Sequence, residues 1–310
     1  MAYASEATNL VAGDTNHVVD LFIYDQIARR TERVTVNTLG AQANRGGASR
    51  VLGLSVDGRY VLFASDASNL VASDTNGAVD VFVRNREAGR TVRVNVSTSG
   101  AQANNGGPTL GGISGDGRYV VFSSAATNLT GDDRSPDQDV FVRDVQVGST
   151  RLVSRSLSGA TEPAISGGGR YIAYRASNAG RYDIYLYDQV SGSTELVSRG
   201  LRGAASNGDS GLPVLSRDGR FVAFVSSASN LVDGVTNGVR DTFAWDRLTR
   251  TIHRISVSGV GGQANGASTA PAISPSAEYI AFVSDATNLV GSDTNHVRDV
   301  FVRYPELAEE

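Results

Sequence analysis

The feature that most constrains this chain is an internal repeat that runs along nearly its whole length. Each copy contains a segment related to Asp-Val-Phe-Val-Arg, whose first aspartate serves as an anchor. Repeats of this length stack to bury a core that one copy cannot bury alone, so the repeat decides the fold. The interval between the third and fourth anchors is shortened. The six anchors are Asp20, Asp80, Asp139, Asp183, Asp241 and Asp299.

Every complete repeat is predicted to contain four short β-strands, named a, b, c and d in chain order. In the second repeat the turn Asp57-Gly58-Arg59 leads into strand b at 60–63, strand c follows at 81–83 and strand d at 91–96. Asp-Gly between apolar runs predicts a tight hairpin turn, because glycine tolerates positive φ. The apolar residues have a period of two, which predicts strands rather than helices.

Six copies of a four-stranded antiparallel unit predict an all-β fold, a six-bladed β-propeller, because radial repetition protects the sheet edges. We predict a single domain over residues 1–310. The first repeat has no strand a and the last has no strand d, so both are incomplete. Unpaired strand edges invite pairing with another chain. We therefore expect the outer edge of the last repeat to be covered by the 305–310 tail or by a neighbouring molecule.

The repeats also resemble those of a known family. Ser55-Val-Asp-Gly-Arg-Tyr-Val-Leu-Phe63 and Asp139-Val-Phe-Val-Arg-Asp144 are similar to the repeats of TolB-like, or WD40-like, β-propellers. The resemblance covers nearly the whole chain and implies the propeller fold. It implies no single function, because the family includes translocation partners, peptidase gating domains and surface proteins.

Composition excludes several classes of protein. The 28 basic residues, all arginine, against 32 acidic residues give a net charge of −4, which argues against a nucleic-acid partner. A chain without lysine has no Schiff-base or P-loop lysine, and one without cysteine has no thiolate nucleophile, disulfide or iron–sulfur cluster.

The same features bear on location. No apolar run is long enough to insert into a membrane, and the first residues do not form a targeting segment. The lack of cysteine suits an extracytoplasmic protein that needs no cross-links. We expect a bacterial protein that is periplasmic or secreted.

Two connections in each repeat are enlarged, the b–c loop and the d–a loop. In a four-stranded meander these two connections emerge on the same face of the propeller. Binding residues are commonly placed on loops that a rigid scaffold supports. The enlarged loop face is therefore the predicted binding surface, although the long loops could equally serve as walls that stabilise one another.

The b–c loops of repeats one, two and six carry oxygen side chains at spacings that suit calcium, which takes six to eight hard oxygen ligands. The alternative is that the first two residues of each set form turns and the anchor aspartate binds backbone N–H groups at the start of strand c. The fourth repeat keeps Asp183 without the preceding segment, which favours that alternative. The candidate ligands are Asp14, Asn16, Asp20, Asp74, Asn76, Asp80, Asp293, Asn295 and Asp299.

The shortened fourth repeat is the one departure from this pattern. Both its b–c loop and the d–a loop before it are cut, so the rim of the loop face is expected to dip there. The alternative is a neutral deletion, without consequence for function. The candidate ligand-binding residues near this dip are Arg155, Glu162, Arg175, Arg181 and Tyr182.

These observations favour a non-catalytic propeller scaffold that presents its enlarged loop face to a protein or another macromolecule. No catalytic residue is predicted, and calcium is the one cofactor that the loops suggest. Two alternatives stay open. The first is an enzyme, a hydrolase or lyase, with a site at the channel mouth near the fourth repeat. The second is a calcium-dependent surface or glycan-binding module, although the loops have few aromatic residues on which sugars could stack.

Overall fold

A computed structural model describes residues 1–47, 49–105, 110–133, 135–178, 180–291 and 293–304. The chain divides into two compact units, Met1–Arg155 and Ser156–Glu310. Over the described ranges, regular structure is β-strand apart from one short 3-10 helix, Leu201–Gly203. The described residues contain no helix with the length and hydropathy needed to cross a membrane.

The first unit contains three antiparallel sheets, each a meander in which neighbours in sequence are neighbours in the sheet. The first sheet consists of β1 (Ala2–Ser5), β2 (Asp20–Asp25) and β3 (Arg30–Arg33). The second consists of β4 (Arg50–Leu54), β5 (Tyr60–Ser65), β6 (Asp80–Asn85) and β7 (Arg90–Arg93). The third consists of β8 (Gly111–Ile113), β9 (Tyr119–Ser124), β10 (Asp139–Asp144) and β11 (Ser149–Leu152).

The second unit also contains three antiparallel meanders. The fourth sheet consists of β12 (Ser158–Ile165), β13 (Tyr171–Asn178), β14 (Arg181–Asp188) and β15 (Thr194–Leu196). The fifth consists of β16 (Ser210–Leu215), β17 (Phe221–Ser226), β18 (Asp241–Asp246) and β19 (Thr251–Arg254). The sixth consists of β20 (Ser268–Ile273), β21 (Ile280–Ser284) and β22 (Asp299–Arg303).

The described sheets confirm the predicted division of the repeat into strands a to d. Among the described residues, the first sheet lacks strand a and the sixth lacks strand d. Strand d is shorter than predicted. In the second repeat it ends at Arg93, and Val96 makes only an isolated bridge to Gln102. The number of blades and the single domain over 1–310 stay predictions. The tail at 305–310 lies outside the described residues.

The predicted hairpin turns are closed by side chains as well as by glycine. In the second repeat, Asp57 accepts hydrogen bonds from the hydroxyl of Ser55, at 2.5 Å, and from the backbone N–H of Arg59, at 2.9 Å. The backbone N–H of Tyr60 donates to the Ser55 hydroxyl at 2.9 Å. Gly58 has a φ of +67°, which a residue with a Cβ atom rarely adopts. The turn therefore sets where strand b begins.

The hydrophobic cores lie between neighbouring sheets within each unit. An aromatic residue on strand b stacks on one from strand c of the same sheet, as Phe63 does on Phe82 with ring centroids 5.5 Å apart. The predicted equivalent residues Phe22, Phe82, Phe141, Tyr185 and Phe243 are buried. Phe301 was predicted to be equally buried but is only half-buried, because no strand d covers it in the described part of the sixth sheet.

Candidate functional site

The b–c loop of the first repeat brings its three candidate ligands together around an arginine. Nη1 of Arg33, on strand d, lies 3.0 Å from Oδ1 of Asp14 and 3.1 Å from Oδ2 of Asp20. The side-chain amide of Asn16 donates to Oδ2 of Asp20 at 2.9 Å. Gln42 accepts from the same arginine at 2.7 Å. Both carboxylates are buried, and burying an unpaired charge costs free energy. The arginine offsets that cost by supplying the opposite charge.

The second repeat reproduces this arrangement in detail. Nη1 of Arg93 lies 3.1 Å from Oδ1 of Asp74 and 3.0 Å from Oδ2 of Asp80. The amide of Asn76 donates to the Asp80 carboxylate at 3.1 Å. Burial raises the pKa of Asp74, and the nearby charge of Asp80 raises it further while Arg93 opposes the shift. Arg93 therefore holds two neighbouring carboxylates in one buried cluster.

The anchor aspartate has a second partner in every repeat where strand d is described. The side chain two residues after the arginine position donates to the anchor, as Asn95 does to Asp80 and Ser256 does to Asp241. The same side chain accepts the backbone N–H of the residue that follows the anchor, as Asn95 does from Val81 at 3.0 Å. The anchor thus ties the start of strand c to the end of strand d.

The third repeat has leucine, Leu152, at the arginine position, opposite Phe141 in the sheet register. Its anchor, Asp139, keeps a hydrogen bond from Ser154 at 2.5 Å. Burial raises the pKa of Asp139 to about 6, and the charges of Asp133 and Asp137 add to that shift. This buried anchor is therefore easier to protonate than an ordinary aspartate.

Among the described residues, no group of three or more histidine, cysteine, aspartate or glutamate side chains could hold a metal ion. In repeats one and two the structure places the candidate calcium ligands together, but an arginine already contacts their carboxylates. In repeat six Asn295 donates to Asp299 at 3.1 Å, while Oδ1 of Asp293 is buried without a hydrogen-bond partner. Calcium binding in these loops stays a prediction.

The shortened loops of the fourth repeat bring three of the predicted ligand-binding residues into contact and place a fourth, Arg181, next to them on β14. The guanidinium of Arg175 lies 3.8 Å from the ring centroid of Tyr182 and 3.3 Å from Oε1 of Glu162. Oε2 of Glu162 accepts the backbone N–H of Leu212 at 2.6 Å. Arg181 is exposed and donates to the backbone carbonyl of Ser206. Because β13 and β14 each extend to eight residues, this cluster lies at the end of a long hairpin.

The fifth candidate, Arg155, belongs to the first unit. Its side chain is exposed and pairs with Asp132, with Nη2 and Oδ2 2.5 Å apart.

Sequence reasoning missed one member of the cluster in the second unit, Asp209, which accepts the backbone N–H of Tyr182 at 2.9 Å. Asp209 lies in Gly208-Asp209-Ser210-Gly211, at the end of the d–a loop that leads into the fifth repeat. The hydroxyl of Ser210 in that segment is buried and bonds Ser226 at 2.9 Å, which is a structural role.

Glu162 has a φ of +53°, an unusual value for a residue with a Cβ atom. Leu212 and Ala270 have φ values of +53° and +47° at bulges in the strands a of the next two repeats. The strained backbone is therefore a property of the repeat in this unit. What distinguishes the fourth repeat is the charge of the side chain that the bulge presents.

Two surface grooves are lined by residues other than those of this cluster. One, in the first unit, has a volume of about 1090 Å³ and is lined by Leu39, Val92 and Val147 among others. Another, in the second unit, has a volume of about 620 Å³ and is lined by residues that include Arg202 and Trp245. None of the predicted ligand-binding residues lines either groove.

Comparisons with known proteins bear on the fold. No protein-family model and no curated protein sequence matches the chain. Solved structures do match. TolB from Acinetobacter baumannii aligns with a TM-score of 0.50 and 13% identity over 92% of this chain, and the chain spans 60% of that protein's length.

A protein described as TolB from Agrobacterium tumefaciens aligns with a TM-score of 0.51 and 19% identity, over 86% of this chain and 77% of its own. Oligogalacturonate lyase from Vibrio parahaemolyticus aligns with a TM-score of 0.53 and 14% identity, over 92% of this chain and 69% of its own. At these identities the similarity shows the fold alone. The chain has the all-β, TolB-like propeller fold that its repeats predicted.

Proposed function

We propose that this chain, a β-propeller of TolB-like fold, is a non-catalytic scaffold that binds a protein partner at the hairpin end of its fourth repeat. The observation that supports it is the contact of Arg175 with both Tyr182 and Glu162, beside the exposed Arg181 that precedes Tyr182 in β14. Arginine and tyrosine are the residues most enriched where protein interfaces concentrate their binding energy. The proposed binding surface is defined by these four residues.

The order within this cluster supports binding. Arg175 is held between the ring of Tyr182 and the carboxylate of Glu162, and Glu162 is itself held by the backbone of Leu212. Side chains that are already fixed lose little conformational freedom when a partner docks. A partner with a carboxylate could pair with the exposed guanidinium of Arg181 at the edge of this surface.

The enlarged loops support a scaffold in a different way. Their buried carboxylates, amides and arginines bond to one another, as Asp20, Asn16 and Arg33 do. These groups are therefore used to hold the loops in place. The fourth repeat, in which the loops are cut, is where we place recognition.

Selection of peptides tests this proposal. A random displayed-peptide library would be selected against the wild-type chain, and the affinity of the synthesised winners would be measured on Arg181→Ala and Tyr182→Ala variants. Arg90→Ala, an exposed arginine on β7, is the matched control. We expect Tyr182→Ala to lose about tenfold or more in affinity, as loss of a central contact does, and Arg181→Ala, at the edge of the surface, to lose less. Selected peptides that bind all variants equally would show that recognition does not involve this surface.

The hydrolase or lyase alternative is tested with the same proteins. If a winning peptide or an acidic oligosaccharide is consumed on incubation, and Glu162→Gln abolishes the loss, the scaffold proposal is wrong. Mass spectrometry of the incubated mixture is the measurement.

We also propose an extracytoplasmic location. The absence of cysteine and the resemblance of the repeats to TolB-like propellers support it. Fractionation of the source cells, with an antibody raised against the chain, tests it. Recovery with the cytoplasmic fraction would contradict it.

A further inference from the structure

The last strand of the sixth sheet, β22, has an open edge. Among the described residues, β21 is the only strand that pairs with it. Val300 and Val302 are 72% and 56% exposed, whereas the equivalent Val81 and Val83 of β6 are 0% and 1% exposed. In the second sheet, β7 pairs with the corresponding edge of β6. In the described part of the chain the edge of β22 is therefore unpaired, and the face that carries its two valines is uncovered, whereas the same face of β6 packs against the third sheet.

The other sheets show what this edge is shaped to accept. In repeats one, two and five, strand d places an arginine opposite the central aromatic of strand c, as Arg93 is opposite Phe82. In repeats one and two this arginine reaches both b–c loop carboxylates. A hydroxyl or amide side chain follows two residues later in all five described strands d. The three arginine-containing pairs are Arg33 and Thr35, Arg93 and Asn95, and Arg254 and Ser256.

The backbone follows an equally regular rule. The residue between these two side chains donates its N–H to the carbonyl of the residue after the anchor, as Val94 does to Val81 at 2.8 Å. The N–H of Val81 in turn donates a hydrogen bond to the side chain of Asn95 at 3.0 Å. Arginine, apolar residue and hydroxyl or amide thus form one recognition pattern for the edge of strand c.

The sixth repeat contains the accepting half of this pattern. Asp293 and Asp299 occupy the positions of Asp74 and Asp80, and Phe301 pairs with Phe282 as Phe82 pairs with Phe63. In the described part of the chain, no guanidinium pairs with Asp293 or Asp299, and Oδ1 of Asp293 is buried without a hydrogen-bond partner. Val300, in the register of Val81, directs its N–H toward the open edge.

We propose that the open edge of β22 binds an extended peptide segment that carries arginine, an apolar residue and then serine, threonine or asparagine. The segment adds as an antiparallel strand, with its arginine opposite Phe301 and its guanidinium between Asp293 and Asp299. Its hydroxyl or amide side chain donates to Asp299 and accepts the N–H of Val300. Main-chain pairing supplies affinity, and the two charged and polar positions supply specificity.

The 305–310 tail, Pro-Glu-Leu-Ala-Glu-Glu, has no arginine and no serine, threonine or asparagine, so its sequence does not fit this pattern. A cation between Asp293 and Asp299 would satisfy the same carboxylates without a peptide. The arginines of repeats one and two favour the peptide, because they show the same pair of carboxylates taking a guanidinium.

A peptide copied from the chain itself is the probe. An eight-residue fluorescent peptide with the sequence of residues 90–97, Arg-Thr-Val-Arg-Val-Asn-Val-Ser, would be titrated with the full chain and followed by fluorescence anisotropy. We expect saturable binding that weakens with added salt, because the contact includes an ion pair. Absence of binding, or displacement of the peptide by micromolar calcium, would overturn the proposal.

Changes in the peptide separate the proposed contacts without disturbing the protein. Citrulline in place of the arginine that corresponds to Arg93 keeps the shape and removes the charge. Methylation of the backbone nitrogen that corresponds to Val94 removes the central N–H donor. We expect each change to weaken binding about tenfold or more, the usual effect of removing one partner of a desolvated pair. Equal binding by the unmodified and citrulline peptides would refute the role of Asp293 and Asp299.

Variants of the protein locate the site. Asp299→Asn should weaken the binding of the unmodified peptide and leave the binding of the citrulline peptide unchanged. Glu278→Gln, a substitution at an exposed position, is the matched control. Hydrogen exchange gives a second readout. We expect the bound peptide to protect the amides of 299–303, whereas protection of 80–85 would mean that the peptide displaces β7 and that the proposal is wrong.

Discussion

Nη1 of Arg93, the last residue of β7, lies 3.0 Å from Oδ2 of Asp80, the first residue of β6. Both side chains are at least nine-tenths buried. Removing one partner of such a pair costs more than the pair contributes, because it leaves an uncompensated charge in the interior. The contact therefore joins the first residue of β6 to the last residue of β7. It fixes the position at which the b–c loop leads into strand c.

Replacement of Arg93 by glutamine should lower the free energy of unfolding by about 3–5 kcal/mol, because it leaves Asp74 and Asp80 without a counter-charge. The loss should shrink at acidic pH, because burial raises the pKa of Asp74 and its protonation removes one of the two charges. Urea titration followed by circular dichroism measures it. Arg90→Gln, three residues earlier and exposed, is the control. A change of less than ~1 kcal/mol in Arg93→Gln would show that the pair is not important for stability.

Phe82→Ala should lower the free energy of unfolding by about 3–5 kcal/mol, because it removes a fully buried ring that stacks on Phe63. Phe301→Ala, at the equivalent position of the sixth repeat, should cost less because Phe301 is only half-buried. Parallel thermal and urea unfolding of the two variants is the measurement. Equal losses would mean that Phe301 is covered in solution.

Asp139 should make stability decrease as the pH rises. Burial raises its pKa in the folded chain to about 6, above the ordinary value near 3.9, so the folded state binds the proton more tightly. The contribution is present below about pH 4 and is lost as the pH rises through about 6. Asp139→Asn should therefore raise the free energy of unfolding at pH 7 by on the order of 2 kcal/mol, with little change at pH 4.

Urea titration of wild type and Asp139→Asn between pH 4 and pH 8 tests this dependence. Asparagine still accepts the hydrogen bond from Ser154, so the comparison isolates the charge. Asp233→Asn, at an exposed loop position, shows the effect of removing one surface charge. Parallel profiles for wild type and Asp139→Asn would contradict the expected linkage.

Calcium and excess chelator should give the same midpoint of thermal unfolding if Arg33 and Arg93 satisfy the carboxylates of loops one and two. A ligand that binds only the folded state would raise that midpoint. Scanning calorimetry in the two conditions is the measurement. A calcium-dependent rise that Asp293→Asn abolishes would assign a cation to the sixth loop, and one that Asp14→Asn abolishes would support the calcium site first predicted there.

The local elements follow from residues close together in sequence. Asp57 and Gly58 define a turn that only glycine closes comfortably, and the apolar run around Phe82 predicts a strand that is buried on both faces. Because each repeat states the same pattern again, the strands and the sheet order could be predicted without any long-range information. The incomplete first and last sheets followed from the same count of strands.

The roles of the polar residues required the tertiary structure. Asp14 and Asp20 have a spacing that suits calcium, yet Arg33, from a different strand, lies between them and is recognised only when strand d is folded against strand c. Asp209, on the d–a loop between the fourth and fifth repeats, likewise accepts the backbone N–H of Tyr182. The sequence by itself determined where strands begin and which apolar runs form the core, since turn residues and apolar runs depend on neighbours in the chain alone. Tertiary structure decided which charges meet, because a carboxylate's partner is set by distances that the chain crosses only after it has folded.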